Sequence, residues 1–533
     1  MITKSLKIIL LNLLFMTSLF SSTLQDDIKP LTQSSFKSKQ STIENIVDKH
    51  SENPKLTLLL KNMLEGSLYY TKYKKQFVIV NKQEGKLLHT SDLFTSESLE
   101  VQKKNMFKKV KTNNKLRSFI RNKLAELNLF SKDKKVRLSS AKNMLKNVDK
   151  DSKALILKAL KQEKDTDVKK VLVEMDTILK ALYGTAEEQL LAVVDLSDYL
   201  SPQSLETLKK IESTTTDDEI KKLANESIES VQSSKSFYSM VETAFFGLSM
   251  GSVLLLAAIG LAITFGVMKV INMAHGEMMM IGAYTTFTLQ QIMPSFIEYS
   301  IIIAIPMAFL VSAMVGVIIE RLVIRHLYGR PLETLLATFG ISLILQQIVR
   351  TIYSPLNQEV KTPEWMSGAW EINGALSLTY NRLYIIIFAF LVFFAVLLLL
   401  KKTSLGLKVR AVTQNREMAK AMGIKTGFID AMTFGIGSGI AGVAGVALSQ
   451  LTNVGPNLGQ AYIVDSFMVV VFGGVGNLWG TLIAAISLGE LNKFLEPVAG
   501  AVLAKVIILI AIILFIQKRP RGLFPQKGRD AQD

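Results

Sequence analysis

The sequence predicts an all-α protein, a polytopic helical membrane domain preceded by a mainly α-helical soluble domain. Two contrasts and one periodicity predict it. From Ala244 to Ile516 the apolar residues gather into runs long enough to cross a bilayer, which takes roughly 20 residues per helix. From Thr23 to Met240 the chain is polar, rich in lysine and free of such runs. Within that polar half the apolar residues recur at helical spacing, as in DTDVKKVLVEMDTILKAL, where Val168, Val171, Leu172, Met175, Ile178, Leu179 and Leu182 share a face.

Residues 1–22 place Lys4 and Lys7 ahead of an apolar stretch, Ile8 to Leu14, and then small polar residues. This is the layout of a secretory signal peptide; an uncleaved anchor helix is the alternative. Either would export residues 23–240. That segment reads as short amphipathic helices, with Asp165 or Thr166 able to cap one of them. Acid-led helices recurring about every 40 residues suggest HEAT-type repeats, with an irregular bundle as the other reading. Residues Gln76 to Leu93 suggest a small hairpin around Glu84-Gly85. His50 and His89 are isolated and make no metal site. The stretch Ser227 to Ser239 reads as a linker or juxtamembrane helix.

The net charge is +17, of which roughly +9 falls on the polar half. Lysines there alternate with acids and few aromatics intervene, so a solvated surface is expected and nucleic-acid binding is not. Cysteine is absent, which excludes disulfides and thiolate metal sites.

The membrane domain, residues 241–525, is expected to hold about nine spans: Ala244–Met268, Met278–Met293, Ser300–Ile319, Leu332–Tyr353, Leu383–Leu400, Phe428–Leu451, Tyr462–Val471, Leu478–Leu491 and Ala499–Ile516. Four glycines in FGGVGNLWGT suggest a broken hairpin between the seventh and eighth. Basic loops at Arg321–Arg330, Lys401–Arg410 and Gln517–Gly522 belong in the cytoplasm, together with the tail 526–533. The remaining loops carry little positive charge and should face out. Nine crossings then run from an outside N-terminus to an inside C-terminus, in a bacterial inner membrane.

Between two apolar runs lies KVRAVTQNREMAKAMGIKTG, from Lys408 to Gly427. Asn415 can cap a short helix, Glu417 sits in its first turn, Lys420 near its end, and Gly423 can terminate it. Met418, Ala419 and Met422 would form an apolar knob on one side. Such a knob either docks on a partner or lies along the membrane surface.

LKVRAVTQNREMAKAMGIKT resembles the cytoplasmic coupling loop of permeases in branched-chain amino acid type ABC transporters. GLAITFGVMKVINMAHGEMMMIGAY resembles an early signature of that family, and VVVFGGVGNLWGTLIAA its late Gly-rich segment. Within the family, Gly455–Thr481 and Leu491–Pro525 are most similar to the urea transporter permease, some members of which carry a long exported N-terminal extension. The resemblance covers roughly Phe245 to Pro525. It implies cytoplasmic ATPase subunits that bind the ATP, a second permease subunit and an extracytoplasmic binding protein as partners. It implies no cofactor in this chain, which contains no GxxxxGK[ST] P-loop. Asn415, Arg416, Glu417, Met418, Ala419, Met422 and Gly423 would then couple the permease to the ATPase.

Ionisable and amide groups inside spans point to a translocation path. Asn272, His275, Glu277 and Asn477 are the candidates; for His275 and Glu277, capping of a helix start is the alternative role. A urea importer, a branched-chain amino acid importer, and a ligand-gated channel or sensor with an exported binding domain all fit the layout. No nucleophile–base pair or metal cluster suggests an enzyme.

Overall fold

The computed structural model describes residues 24–524 except Ser34, Glu52, Lys86 and Glu100. The signal-peptide and tail expectations lie outside the described residues. The chain divides into two compact units, residues 1–231 and 232–533.

The first unit is not purely helical. Helices α1 (Phe36–His50) and α2 (Pro54–Glu65) lead into a five-stranded antiparallel sheet. Its strands are β1 (Leu68–Thr71), β2 (Phe77–Glu84), β3 (Leu87–Asp92), β4 (Gln102–Lys103) and β5 (Phe107–Lys109), in the order β4-β3-β2-β1-β5. The expected hairpin is the β2–β3 pair, turning at Gly85 with φ +59°. β1 and β5 are four and three residues long, too short for alternation to betray them; the all-α expectation fails here.

Six helices follow: α3 (Asn114–Leu129), α4 (Lys134–Leu145), α5 (Lys153–Gln162), α6 (Thr166–Tyr183), α7 (Ala186–Asp195) and α8 (Pro202–Thr214). Asp165 caps α6, its carboxylate accepting from Asp167 N and Val168 N, and Val168, Leu172, Met175, Ile178 and Leu179 are buried beneath it. Thr185 and Glu188 close a capping box at α7. One continuous core runs from Leu129 to Val231.

Of the two readings of Ser227 to Ser239, linker or juxtamembrane helix, the helix is found: the stretch is helical throughout, inside α9 (Asp218–Met268). The second unit continues with α10 (His275–Ile292), α11 (Ile297–Leu322), α12 (Pro331–Tyr353), the short hairpin β6 (Ala369–Glu371) and β7 (Ser377–Thr379), and α13 (Tyr380–Lys402). Then come α14 (Ser404–Gln414), α15 (Arg416–Ala421), α16 (Thr426–Ser449), α17 (Leu458–Gly473) and α18 (Leu478–Lys518).

Among the described residues six helices are long and apolar enough to cross a membrane: α9, α11, α12, α13, α16 and α18. The other expected spans are α10, diluted by polar residues, the 16-residue α17, and the second half of α18. Gly500 breaks α18, with φ +79°. A straight helix of that length would hold its ends about 60 Å apart. Instead Leu523 N donates to Phe472 O at 2.9 Å, so the chain reverses at Gly500. The Gly-rich stretch is the turn between α17 and α18, with Gly474 and Gly476 at φ +101° and +77°.

α16 is the centre of the unit. Its apolar window is 89% buried and that of α9 78%, against 17–28% for the other four spans, which leave their outer faces bare. Glycine permits the closest contact: a Cβ on Gly282 of α10 would stand 2.5 Å from the carbonyl carbon of Gly442 on α16.

The connecting loops sort to two ends. Glu298 accepts from Glu364 N, and its carbonyl accepts from Trp365 Nε1; Gln358 and Val454 exchange backbone hydrogen bonds. These loops were all expected to face out. At the other end Tyr328, from a basic loop, meets Arg416, and a Cβ on Gly266 would lie 2.6 Å from Gly476 Cα.

Candidate functional site

α10 does not begin where α9 ends. His275 Nε2 is 2.9 Å from Ala257 O, and Ala257 lies eleven residues, about 17 Å of helix, before Met268. Residues 269–274 therefore double back in non-helical form and start α10 halfway up its neighbour. Irregular backbone at membrane depth must find partners within the protein. It does: Met273 N donates to Thr338 Oγ1 at 3.1 Å and Ala274 N to Asn272 Oδ1 at 3.0 Å, with Asn272 and Ala274 buried.

Glu277, in the first turn of α10, faces α12. Ser342 Oγ donates to its Oε1 at 2.9 Å and Gln346 Nε2 to the same oxygen at 2.8 Å. Its Oε2 has no partner among the described residues although the side chain is only 1% exposed. A carboxylate in a first turn is favoured by the helix dipole, but Glu277 makes no capping hydrogen bond; its Oε1 is held from α12. His275 is fully buried, with no partner for Nδ1 among the described residues.

Sequence reading missed the face of α12 that completes this cluster. Thr334, Thr338, Ser342 and Gln346, each four residues from the last, are all buried, and Arg350 continues the row and donates to Asn457 Oδ1 at 2.7 Å. Polar residues at helical period within an apolar run were the available signal.

The four expected path residues do not converge. Asn272, His275 and Glu277 share the α10 start. Asn477 stands apart as the N-cap of α18: its Oδ1 accepts from Trp479 N and Gly480 N at 3.1 and 3.2 Å, and its Nδ2 donates to Phe524 O at 3.2 Å. Asp465 and Lys505 pair at 2.9 Å between α17 and the second half of α18.

At the other end of the unit, α15 forms as its residues dictate. Asn415 Oδ1 accepts from Met418 N at 2.9 Å, and Gly423 leaves the helix at φ +82°. Met418 and Met422 are 61% and 77% exposed. Ala419 is not with them; it is buried against Val409, Val412 and Ile429, so the exposed knob consists of the two methionines. Arg416 is also turned inward, paired with the fully buried Asp430 of α16. Glu417 occupies the first turn.

A family profile described as "Branched-chain amino acid transport system / permease component" matches residues 243–516. The high-affinity branched-chain amino acid transport system permease protein BraD of Pseudomonas aeruginosa is 30% identical over 295 residues, 54% of this chain and 96% of BraD. The corresponding LivH of Escherichia coli is 29% identical over 300 residues, 54% of this chain and 97% of its own. The ribose import permease protein RbsC of Escherichia coli is 26% identical over 237 residues, 42% of this chain and 71% of RbsC. No solved structure is significantly similar.

Proposed function

Because the chain belongs to the branched-chain amino acid transport permease family and is a multi-pass transport subunit, we propose that it forms the translocation path of an ATP-driven importer of urea. Cytoplasmic ATPases would dock on the Met418–Met422 face of α15. A second permease subunit would complete the path, an extracytoplasmic binding protein would deliver the solute, and residues 23–240 would lie on the periplasmic side.

The observation that carries the substrate reading is Glu277. Its second oxygen is a buried acceptor with no donor among the described residues, and a small uncharged solute rich in N–H groups would supply one. The motif resemblance of Gly455–Thr481 and Leu491–Pro525 favours urea among such solutes. A second reading, transport of branched-chain amino acids, is favoured by the names of the relatives and by Arg350, one turn beyond Gln346, which would face a carboxylate.

Uptake separates the two. Deleting the gene should abolish energised uptake of labelled urea at low external concentration and leave leucine uptake intact. Loss of leucine uptake with normal urea uptake would refute the urea reading.

A further inference from the structure

Arg416 lies on α15 yet points away from its exposed methionine face. Nη1 donates to Asp430 Oδ1 at 3.2 Å and Nη2 bonds Oδ2, a fork-to-fork pairing with a carboxylate that has no solvent exposure. The guanidinium also stacks on Tyr328, 4.5 Å from the ring centre. Tyr328 in turn donates to Glu320 Oε1 at 3.4 Å, and Glu320 is completely buried near the end of α11. Burial, with the charges of Asp430 and Glu320, pushes the Tyr328 hydroxyl up, so it stays a donor. One side chain thus ties the short surface helix to the bases of two spans.

The other flank of Arg416 is open. A cavity of about 460 Å³ borders it, lined also by Lys269, Val270, Arg330 and Thr413. Lys269 and Val270 begin the non-helical segment that carries Asn272 up to the start of α10. Arg416 and that segment thus border the same cavity.

We propose that Arg416 is a positioning residue, the clasp through which displacement of α15 moves α11 and α16 and so acts on the broken α9–α10 junction. This rests on the reading of α15 as the ATPase handle, and it assigns Arg416 to transmission instead of docking. Only arginine suits the place, because lysine keeps the charge but loses both the fork and the stacked ring.

The test uses the full transporter, purified through a tag on this chain, with Arg416→Lys, Arg416→Met, and the exchange Arg416→Asp with Asp430→Arg. For Arg416→Lys, membrane levels and co-purifying ATPase should match wild type and ATP hydrolysis should persist. Uptake of labelled urea or leucine, whichever the wild type carries, should fall about tenfold or more. Arg416→Met should lose uptake further, and the exchange should recover part of it. Undiminished uptake in Arg416→Lys would overturn the clasp alone. Release of the ATPase by Arg416→Lys would also overturn it, by returning Arg416 to the docking face. A fall in membrane level in all three variants would make the cluster a structural brace only. Wild type without co-purifying ATPase would overturn the handle reading and this inference together.

Discussion

Replacing both Met418 and Met422 by alanine should weaken ATPase docking without touching the fold. Full burial of a methionine side chain contributes about 1.5–3 kcal/mol. Met418 is 61% and Met422 77% exposed, so a partner that covers both removes about 1.4 side chains' worth of apolar surface from water. Allowing for the methyl that alanine retains, the loss is about 2–3 kcal/mol, or roughly 30- to 150-fold in affinity. Aspartate at both positions would bury unpaired charge in the socket and should release the ATPase outright. Met418→Leu conserves volume and should be nearly silent. The assay is co-purification of ATPase with the tagged chain, titrated against added ATPase, with membrane levels measured in parallel. Ala419→Asp is the contrasting variant: Ala419 is buried within the unit, so this change should lower the amount of protein itself. Full retention of ATPase by the double aspartate variant would refute the docking surface and leave α15 as a helix lying along the membrane.

Protease added to spheroplasts should cleave within residues 23–240 and spare an epitope fused at Asp533; protection of the N-terminal half would reverse the topology. In the first unit Arg137 Nε donates to Glu163 Oε2 at 2.7 Å and Nη2 to Oε1 at 3.0 Å, and this bond, against the opposing effect of burial, holds the Glu163 carboxyl below its ordinary value. The pair's contribution is therefore complete above the ordinary glutamate range and is lost as pH falls through the lowered value. Melting temperatures of wild type and Glu163→Gln should converge on acidification, and parallel curves would count against it. Gly282→Leu should sharply reduce the amount of folded protein, because its side chain would meet the backbone of Gly442, whereas Gly340→Leu, with nothing within 4 Å, should be tolerated; equal behaviour of the two in a detergent melting assay contradicts the packing.

What could be read from the residues alone was what is determined locally. α15 is set by its own cap and its own glycine, and the stretch from Asn415 to Gly423 suffices to foresee it. The spans follow from runs of apolar residues, and the loop ends from charge. The break before α10 is different. KVINMA contains neither glycine nor proline, and it stays unwound because Thr338 and Asn272 bond its amides. Such a break belongs to tertiary structure. The polar row on α12 was present in the sequence but is averaged away by hydropathy over a whole helix. Asp430 sits within an apolar run, and only the fold shows that Arg416, fourteen residues earlier, is its counter-charge. The sheet of the first unit was half seen, through the one hairpin long enough to alternate.

The burial of α16 has a consequence for how the protein is made. The helix around which the others pack has a mean hydropathy of 1.6, half the 3.2 of α13, which precedes it in the chain. Glycine and alanine give α16 its close contacts, and lipid rewards them less than it rewards leucine, isoleucine, phenylalanine or valine. Partition into the bilayer therefore holds α13 firmly and α16 weakly. During biogenesis α13 should serve as the anchor, and α16 should depend for its retention on protein neighbours already present. Damage to its glycine face would register first as a chain that is degraded before it is complete, and only in survivors as a transporter that works poorly.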